Sequence, residues 1–475
     1  MSLPLPRLLW HLHWRAGFGP DEAQLQAGSL EAAVDKLFSD AATWQPFQLV
    51  DETPYQNNTA KDFKKFSPEQ KQSFKLSNLS ELFQLTYAWI DRMGQSEQAL
   101  RERMTWFWHN HFSSHSRLSL YVQQHNNLLR KHALGSYRDM LREVVKGATV
   151  LDFLNANKNV KAHPNENLGR ELMEIFTLGR GQYTEDDVKN AARALTGWRY
   201  TFDGQFFTDD KTHDEGDKTF FGKTGNFNGD DILDAILARR DTAVHVCRRL
   251  YRHFVNDQPD ETRVQELATV FFDSSYDITK LMRHLLLAPW FYGEPNRGSR
   301  VKSPIELLIG LNRTFHITYN KKISLIRYQK LFAQVLFYPP NIGGWPKGMQ
   351  WIDSSSLLLR LKIPEYLFLA EEFRQLPKGE LSTEGTFQEL DNDNEAVKGQ
   401  VKNLGTQFDW APIEQIYSQV PELNLLLTAI DRTLASPLDP RMIAAIQKHL
   451  DTSNRTQHLH TALLRCCGLP EYQFC

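Results

Sequence analysis

At 475 residues the chain is long enough for one large core or for two or three domains. Its 55 Lys+Arg against 57 Asp+Glu, with 24% charged and 41% hydrophobic residues, describe an ordinary globular protein and exclude a strongly basic, nucleic-acid-binding chain. The four cysteines, Cys247, Cys466, Cys467 and Cys475, are too few for a disulfide framework or a zinc ribbon and are expected as buried small hydrophobes.

Helix signals recur from end to end and alternating strand patterns are nearly absent, which predicts an all-α, multi-helix fold. Met1 to Trp10 has no apolar run suited to a secretory signal, and no apolar stretch of membrane-spanning length occurs, so a soluble, cytoplasmic protein is expected unless a leader was removed. Ser29 precedes a helix over 30–38. Residues 51–79 are polar, with Asn57-Asn58 and Lys64-Lys65, and read as a surface excursion. Ser80 is expected to cap 81–93, Ser96 to open 97–112 and Ser136 to open 137–145. Thr184-Glu185-Asp186-Asp187 resembles a capping box, and Ser303-Pro304-Ile305-Glu306 combines a cap with a first-turn proline. Further helices are expected over 230–239, 242–255, 261–273, 277–287, 323–337, 354–370, 439–450 and 456–466.

Residues 197–229 hold six glycines among aromatics, aspartates and lysines, and so long a loop in a helical protein is more often functional than decorative. Within it, Tyr200 to Phe207 reads as a small hairpin turning at Asp203-Gly204. Residues 376–408, rich in Gly, Glu, Asp, Asn and Lys, read as a linker or insertion. The organisation expected is a main helical domain over 1–375, that linker, and C-terminal helices over 409–475 packing back on the main domain.

Asn165 to Glu174 packs three carboxylates, an arginine and two asparagines onto a helix whose buried stripe is Leu168, Leu172, Ile175 and Phe176. Glu171 and Glu174 flank the stripe, while Asn167 and Arg170 stand within a turn of them. The alternatives are an arginine-carboxylate clasp between helices or carboxylates aimed into a cleft. The stretch Trp106-Phe107-Trp108-His109-Asn110-His111-Phe112 places two histidines two residues apart, which on a helix point about 200° apart. Both therefore serve one divalent metal only if the helix ends first; otherwise one is a ligand or each is a satisfied core imidazole. Thr212 to Gly222 brings His213, Asp214 and Lys218 into the glycine-rich loop, where a histidine beside an aspartate is a poised base, a ligand pair or a self-bonded turn. Tyr338 to Gly348 builds a rigid Pro/Gly turn carrying Trp345, with Trp351 beyond it. Those indoles are either a sugar or peptide platform or part of the core.

These motifs, in this order, resemble the bacterial family of domain of unknown function 1800. The resemblance rests on His13-Trp14-Arg15-Ala16-Gly17-Phe18-Gly19, Phe107 to Phe112, Asn165 to Gly179, Tyr183 to Val188 with Ala194 to Trp198, and the His213-Asp214 loop. It continues in Lys302 to Glu306, Pro339 to Pro346 and Leu469 to Gln473, so it spans nearly the whole chain. The family has no settled reaction to carry over. It implies export for many members and a neighbouring partner resembling sulfatases and alkaline phosphatases.

Three functions stay open at this level. The first is an enzyme using Glu171, Glu174, His213, Asp214 and Lys218, with Asn167, Arg170, Trp345 and Trp351 on the substrate and His109 and His111 on a divalent metal. Its chemistry is acid/base or metal-assisted hydrolysis of a polar or anionic glycan or ester. The others are a helical scaffold or maturation partner, and a carbohydrate-binding module.

Overall fold

The helices form where the caps and the apolar spacing place them. Ser29, Ser136, Thr184 and Ser303 each accept a backbone N–H from the first turn of the helix they precede, which satisfies donors that no intrahelical carbonyl can reach. Thr184 and Ser303 close full capping boxes with Asp187 and Glu306. The helix Tyr137–Lys146 shows the sorting plainly. Tyr137, Met140, Leu141, Val144 and Val145 are buried at three- and four-residue spacing while Arg138, Asp139, Arg142 and Glu143 are not. The computed structural model describes residues 3–21, 24–95, 97–320, 322–368 and 405–475.

Among these residues the fold is all-α apart from three two-stranded antiparallel ribbons. The first pairs Trp198–Tyr200 with Phe206–Thr208, so the hairpin expected there forms, but around a five-residue connection rather than a two-residue turn at Asp203-Gly204. A second, unanticipated ribbon pairs Lys218–Phe220 with Lys223–Gly225. Its turn, Phe221-Gly222, has both residues at positive φ, the geometry that matches hairpin twist. The third pairs Thr318-Tyr319 with Thr406-Gln407.

Three boundaries differ from expectation. Residues 51–79 are mostly helical, in Thr53–Gln56, Ala60–Lys65 and the start of a long helix, Pro68–Gln95. Tyr55, Phe63, Phe66 and Phe74 pack with each other and with Phe202, so sparse aromatics do the work that a continuous apolar stripe does elsewhere. Ser80 caps nothing; it is an exposed residue inside Pro68–Gln95, whose stripe runs unbroken through Leu79, Leu82, Leu85 and Trp89. The helix expected over 323–337 stops at Leu331, because Ala333 and Phe337 adopt left-handed backbone. Ser96, residues 369–370 and 376–404 lie outside the described residues. The helix following Ser96 begins at Ala99 with Gln98 as its cap residue.

Two large apolar clusters result. One gathers side chains between Leu9 and Tyr292; the other joins Phe18 and the helix Pro68–Gln95 to Pro304–Phe315 and to C-terminal residues such as Leu459 and Cys466. The helix Ala99–His111 belongs to both, giving Leu100, Met104 and Phe107 to the first and Trp106 to the second. It is buried on every side except at Asn110. Its charged residues are partnered in place: Glu102 pairs with Arg130 at 2.8 Å, Arg103 with Glu306 at 2.6 Å, and Arg101 donates to Ala41 O and Arg130 O. No helix among the described residues is long and apolar enough to cross a membrane.

Candidate functional site

A small cavity of about 40 Å³ opens beside the helix shared by the two cores. That helix supplies Trp106, Phe107, Asn110 and His111; the helix Arg240–Phe254 and the turn after it supply Arg249, Arg252, His253 and Asp257. Arg300, Ser303 and Glu306 lie at the start of Pro304–Phe315, and the loop before Ser354 closes the wall with Trp345, Lys347 and Trp351.

Each wall is fixed by groups that the sequence spends on backbone contacts. Arg15, fully buried, donates to Phe254 O and Val255 O at the end of Arg240–Phe254, and to Asn296 O and Cys475 O. It thereby ties off the carbonyls that a helix C-terminus leaves open. The loop is clamped at two glycines. Gly344, at φ +93°, brings its backbone against Asn110, where a Cβ would stand 2.1 Å from Asn110 Oδ1. The same oxygen accepts the Trp345 N–H at 2.9 Å. Gly348, at φ +56°, lies against the carboxylate of Asp257, 2.2 Å from where a Cβ would be. Only glycine meets both conditions, positive φ and close backbone approach.

The stretch from Leu172 to Thr177 is a π-helical turn, a form that leaves carbonyls outside the usual ladder and recurs near functional sites. Phe176 O accepts from His111 Nε2 at 2.9 Å and from the Tyr137 hydroxyl at 2.6 Å, while Ile175 O accepts from His245 Nε2 at 2.9 Å. Arg249 reaches Ile175 O and Asn110 O. A carbonyl only accepts, so the His111 proton sits on Nε2 and its buried Nδ1, which has no partner, keeps a lone pair.

The charges in the cavity are unevenly matched. Glu306 is saturated: Arg103 and Arg300 bind its Oε1, and its Oε2 accepts the Ser303 N–H at 2.7 Å. Burial opposes its ionisation, but the two guanidinium groups outweigh burial and hold the carboxyl well below the usual range. Arg249, Arg252 and Lys347 have no carboxylate within ion-pair distance among the described residues. Burial, reinforced by Arg249 and Arg252 and opposed by Asp257, pushes the Lys347 amine down to about 7. Burial also raises the Asp257 carboxyl, against the pull of Arg300. His253 is held neutral by burial and by Arg103 and Arg300, with a buried, unpartnered Nε2.

The residues expected from sequence divide between this cavity and other places. Trp345, Trp351 and His111 line it. At 3% and 8% exposure the two indoles form wall rather than an open platform. His109 points to the other side of its helix, against Trp89, Phe337, Trp345 and His125. Among the described residues no three His, Cys, Asp or Glu side chains gather as a metal would require. Asn167 is exposed. Arg170 binds Glu166 and Glu185, and Glu174 binds Arg180 and the Tyr183 hydroxyl. Glu171 is half-buried, its carboxyl raised by burial and by Glu174, and does not line the cavity.

The glycine-rich loop forms a unit of its own. His213 Nδ1 lies 2.8 Å from Thr196 O, Asp214 accepts from Arg193 and Gly216, and buried Lys218 donates to Asp214 O, Gly216 O and Asn226 Oδ1. The structure thus does not bring Glu171, Glu174, His213, Asp214 and Lys218 to the cavity that receives His111.

Sequence reasoning missed Arg249, Arg252, His253 and Asp257. A signal was present. Between Asp241 and Asp257 the chain carries His245, Arg248, Arg249, Arg252 and His253 with no intervening acid, a basic run whose three arginines have no acid four residues away.

The family described as protein of unknown function (DUF1800) matches residues 11–474. No curated protein and no solved structure matches the chain.

Proposed function

This chain belongs to the DUF1800 family, and we propose that it is an enzyme that takes an anionic ester into the cavity and hydrolyses it by acid–base chemistry. The observation carrying this reading is the concentration of Arg249, Arg252 and Lys347, cations without carboxylate partners, around a solvent-open hollow. Arg252 is exposed, but Arg249 and Lys347 are partly buried, where positive charge is costly unless something neutralises it, and an anionic substrate does so. His111 and His253 line the cavity as neutral imidazoles whose unpartnered nitrogens, Nδ1 and Nε2, are acceptors that can orient an attacking water. Asp257 stands on the same wall, with no cation within ion-pair distance among the described residues.

The test is turnover of nitrophenyl phosphate, sulfate and carboxylate-bearing esters by the wild type, His253→Asn and Arg252→Gln. One ester should be hydrolysed, with kcat/KM lowered on the order of 100-fold by His253→Asn. Arg252→Gln, at an exposed position, should lower it on the order of tenfold, mainly through KM. Turnover indifferent to both substitutions would contradict the reading.

The closed clasps around Arg170 and Arg193 favour a second reading, a non-catalytic scaffold or maturation partner of a sulfatase- or alkaline-phosphatase-like protein. It predicts that such a partner binds His253→Asn as tightly as the wild type, with no ester turned over by either.

A further inference from the structure

We propose that the group the cavity is built to hold is a phosphate dianion, the end of a phosphomonoester, in preference to a sulfate ester or a carboxylate. The inference rests on the reading of the cavity as the site of an anionic substrate. Its basis is a charge balance. Arg249, Arg252, Arg300 and Lys347 line the cavity, and Arg103 stands behind Arg300 on the same carboxylate. Arg103 and Arg300 are set against Glu306 and Cys475, which favour their charged forms, leaving Asp257 as the acid on the cavity wall that faces Arg249, Arg252 and Lys347. The surplus is then two positive charges with Lys347 protonated and one with it neutral, before any contribution from His111 and His253. A monoanion leaves one charge uncompensated once Lys347 is protonated; a dianion matches that surplus outright.

The geometry of the donors agrees. Glu306 already occupies Arg103 and Arg300 from one side, and Arg249 is oriented by two backbone carbonyls rather than by a carboxylate. Arg252 and Lys347 approach from different elements, a helix and a loop. Donors converging from several directions suit a tetrahedral oxyanion better than a planar carboxylate.

The arrangement also links binding to a proton. Lys347 is faced by Arg249, Arg252 and His253 of one helix, by Asp257 after it, by Asn110 and His111 of a second, and by Arg300 and Glu306 of a third segment. In the empty cavity burial and the arginines disfavour its ammonium form. A dianion beside it reverses that balance, so the amine takes up a proton as the ligand enters.

Calorimetric titration at pH 8 of the whole chain with methyl phosphate and methyl sulfate, repeated in buffers of different ionisation heat, tests this. These probes share shape and differ in charge, the phosphate being a dianion above its second pKa of about 6. Methyl phosphate should bind on the order of tenfold or more tighter, about the value of one charge-assisted contact, with net proton uptake. Lys347→Met should remove the uptake, and Arg252→Gln should weaken both probes. Equal affinity for the two probes, or phosphate binding without proton uptake, overturns the dianion inference while leaving the anionic site standing. Binding of neither probe overturns both, and binding unchanged in Lys347→Met and Arg252→Gln marks an adventitious ion only.

Discussion

Glu306→Gln is expected to destabilise the protein by about 3–5 kcal/mol, the cost of leaving a buried charge without its partner. Glu306 is 2% exposed and Arg103 fully buried. The carboxylate joins three things at once: Arg103 on the central helix, Arg300 from the preceding segment, and the Ser303 N–H that opens its own helix. Glutamine keeps the shape and one acceptor but leaves two guanidinium groups facing each other in the interior. Urea unfolding should show a lower midpoint with an unchanged slope. A loss under 1 kcal/mol would mean that water or another acid reaches Arg103 and Arg300.

The second large effect is acid unfolding that begins far above the carboxylate range. His11, His13, His109, His111, His125, His245 and His253 all have imidazoles depressed from the ordinary 6.5, burial being the largest cause for each; His13 falls to about 3, and His125 and His245 to about 4. The unfolded chain binds protons at these groups once the pH drops below 6.5, whereas the folded chain refuses them until the depressed values are reached. The unfolded state therefore holds more protons across that window, and stability falls as pH falls. Each imidazole costs about 2 kcal/mol between pH 7 and pH 5. Together they rival the roughly 5–15 kcal/mol that separates folded from unfolded states. Circular dichroism should show a cooperative transition centred near pH 5. A protein still folded at about pH 4 would contradict the assignment of these histidines as neutral and buried.

Local chemistry was legible before the fold was seen because caps and glycines act within a few residues. Ser29, Ser136, Thr184 and Ser303 bind the neighbours their spacing implies. The motif-bearing stretches Phe107 to Phe112, Pro339 to Pro346 and Lys302 to Glu306 stood out as sequence, and three distant segments do furnish one cavity. What sequence could not give was which charges would be left over. Asp214 and Glu174 look as chemically able as Asp257, but Arg193 and Arg180 reach the former while no cation lies within ion-pair distance of Asp257 among the described residues. Pairing of that kind depends on residues 6 to 21 positions away and on the path between them. The π-turn at Leu172–Thr177 is a further case. The acidic helix attracted notice for its carboxylates, yet its tie to the cavity runs through the carbonyls of Ile175 and Phe176, which carry no sequence signature.

The most direct test of the cavity's role is anomalous diffraction from crystals soaked in tungstate, a tetrahedral dianion visible at heavy-atom contrast. The charge arrangement predicts one strong peak between Arg249, Arg252 and Lys347, lost in Arg252→Gln crystals of the same form. Peaks confined to surface lysines and arginines, with the cavity vacant at saturating tungstate, would contradict it.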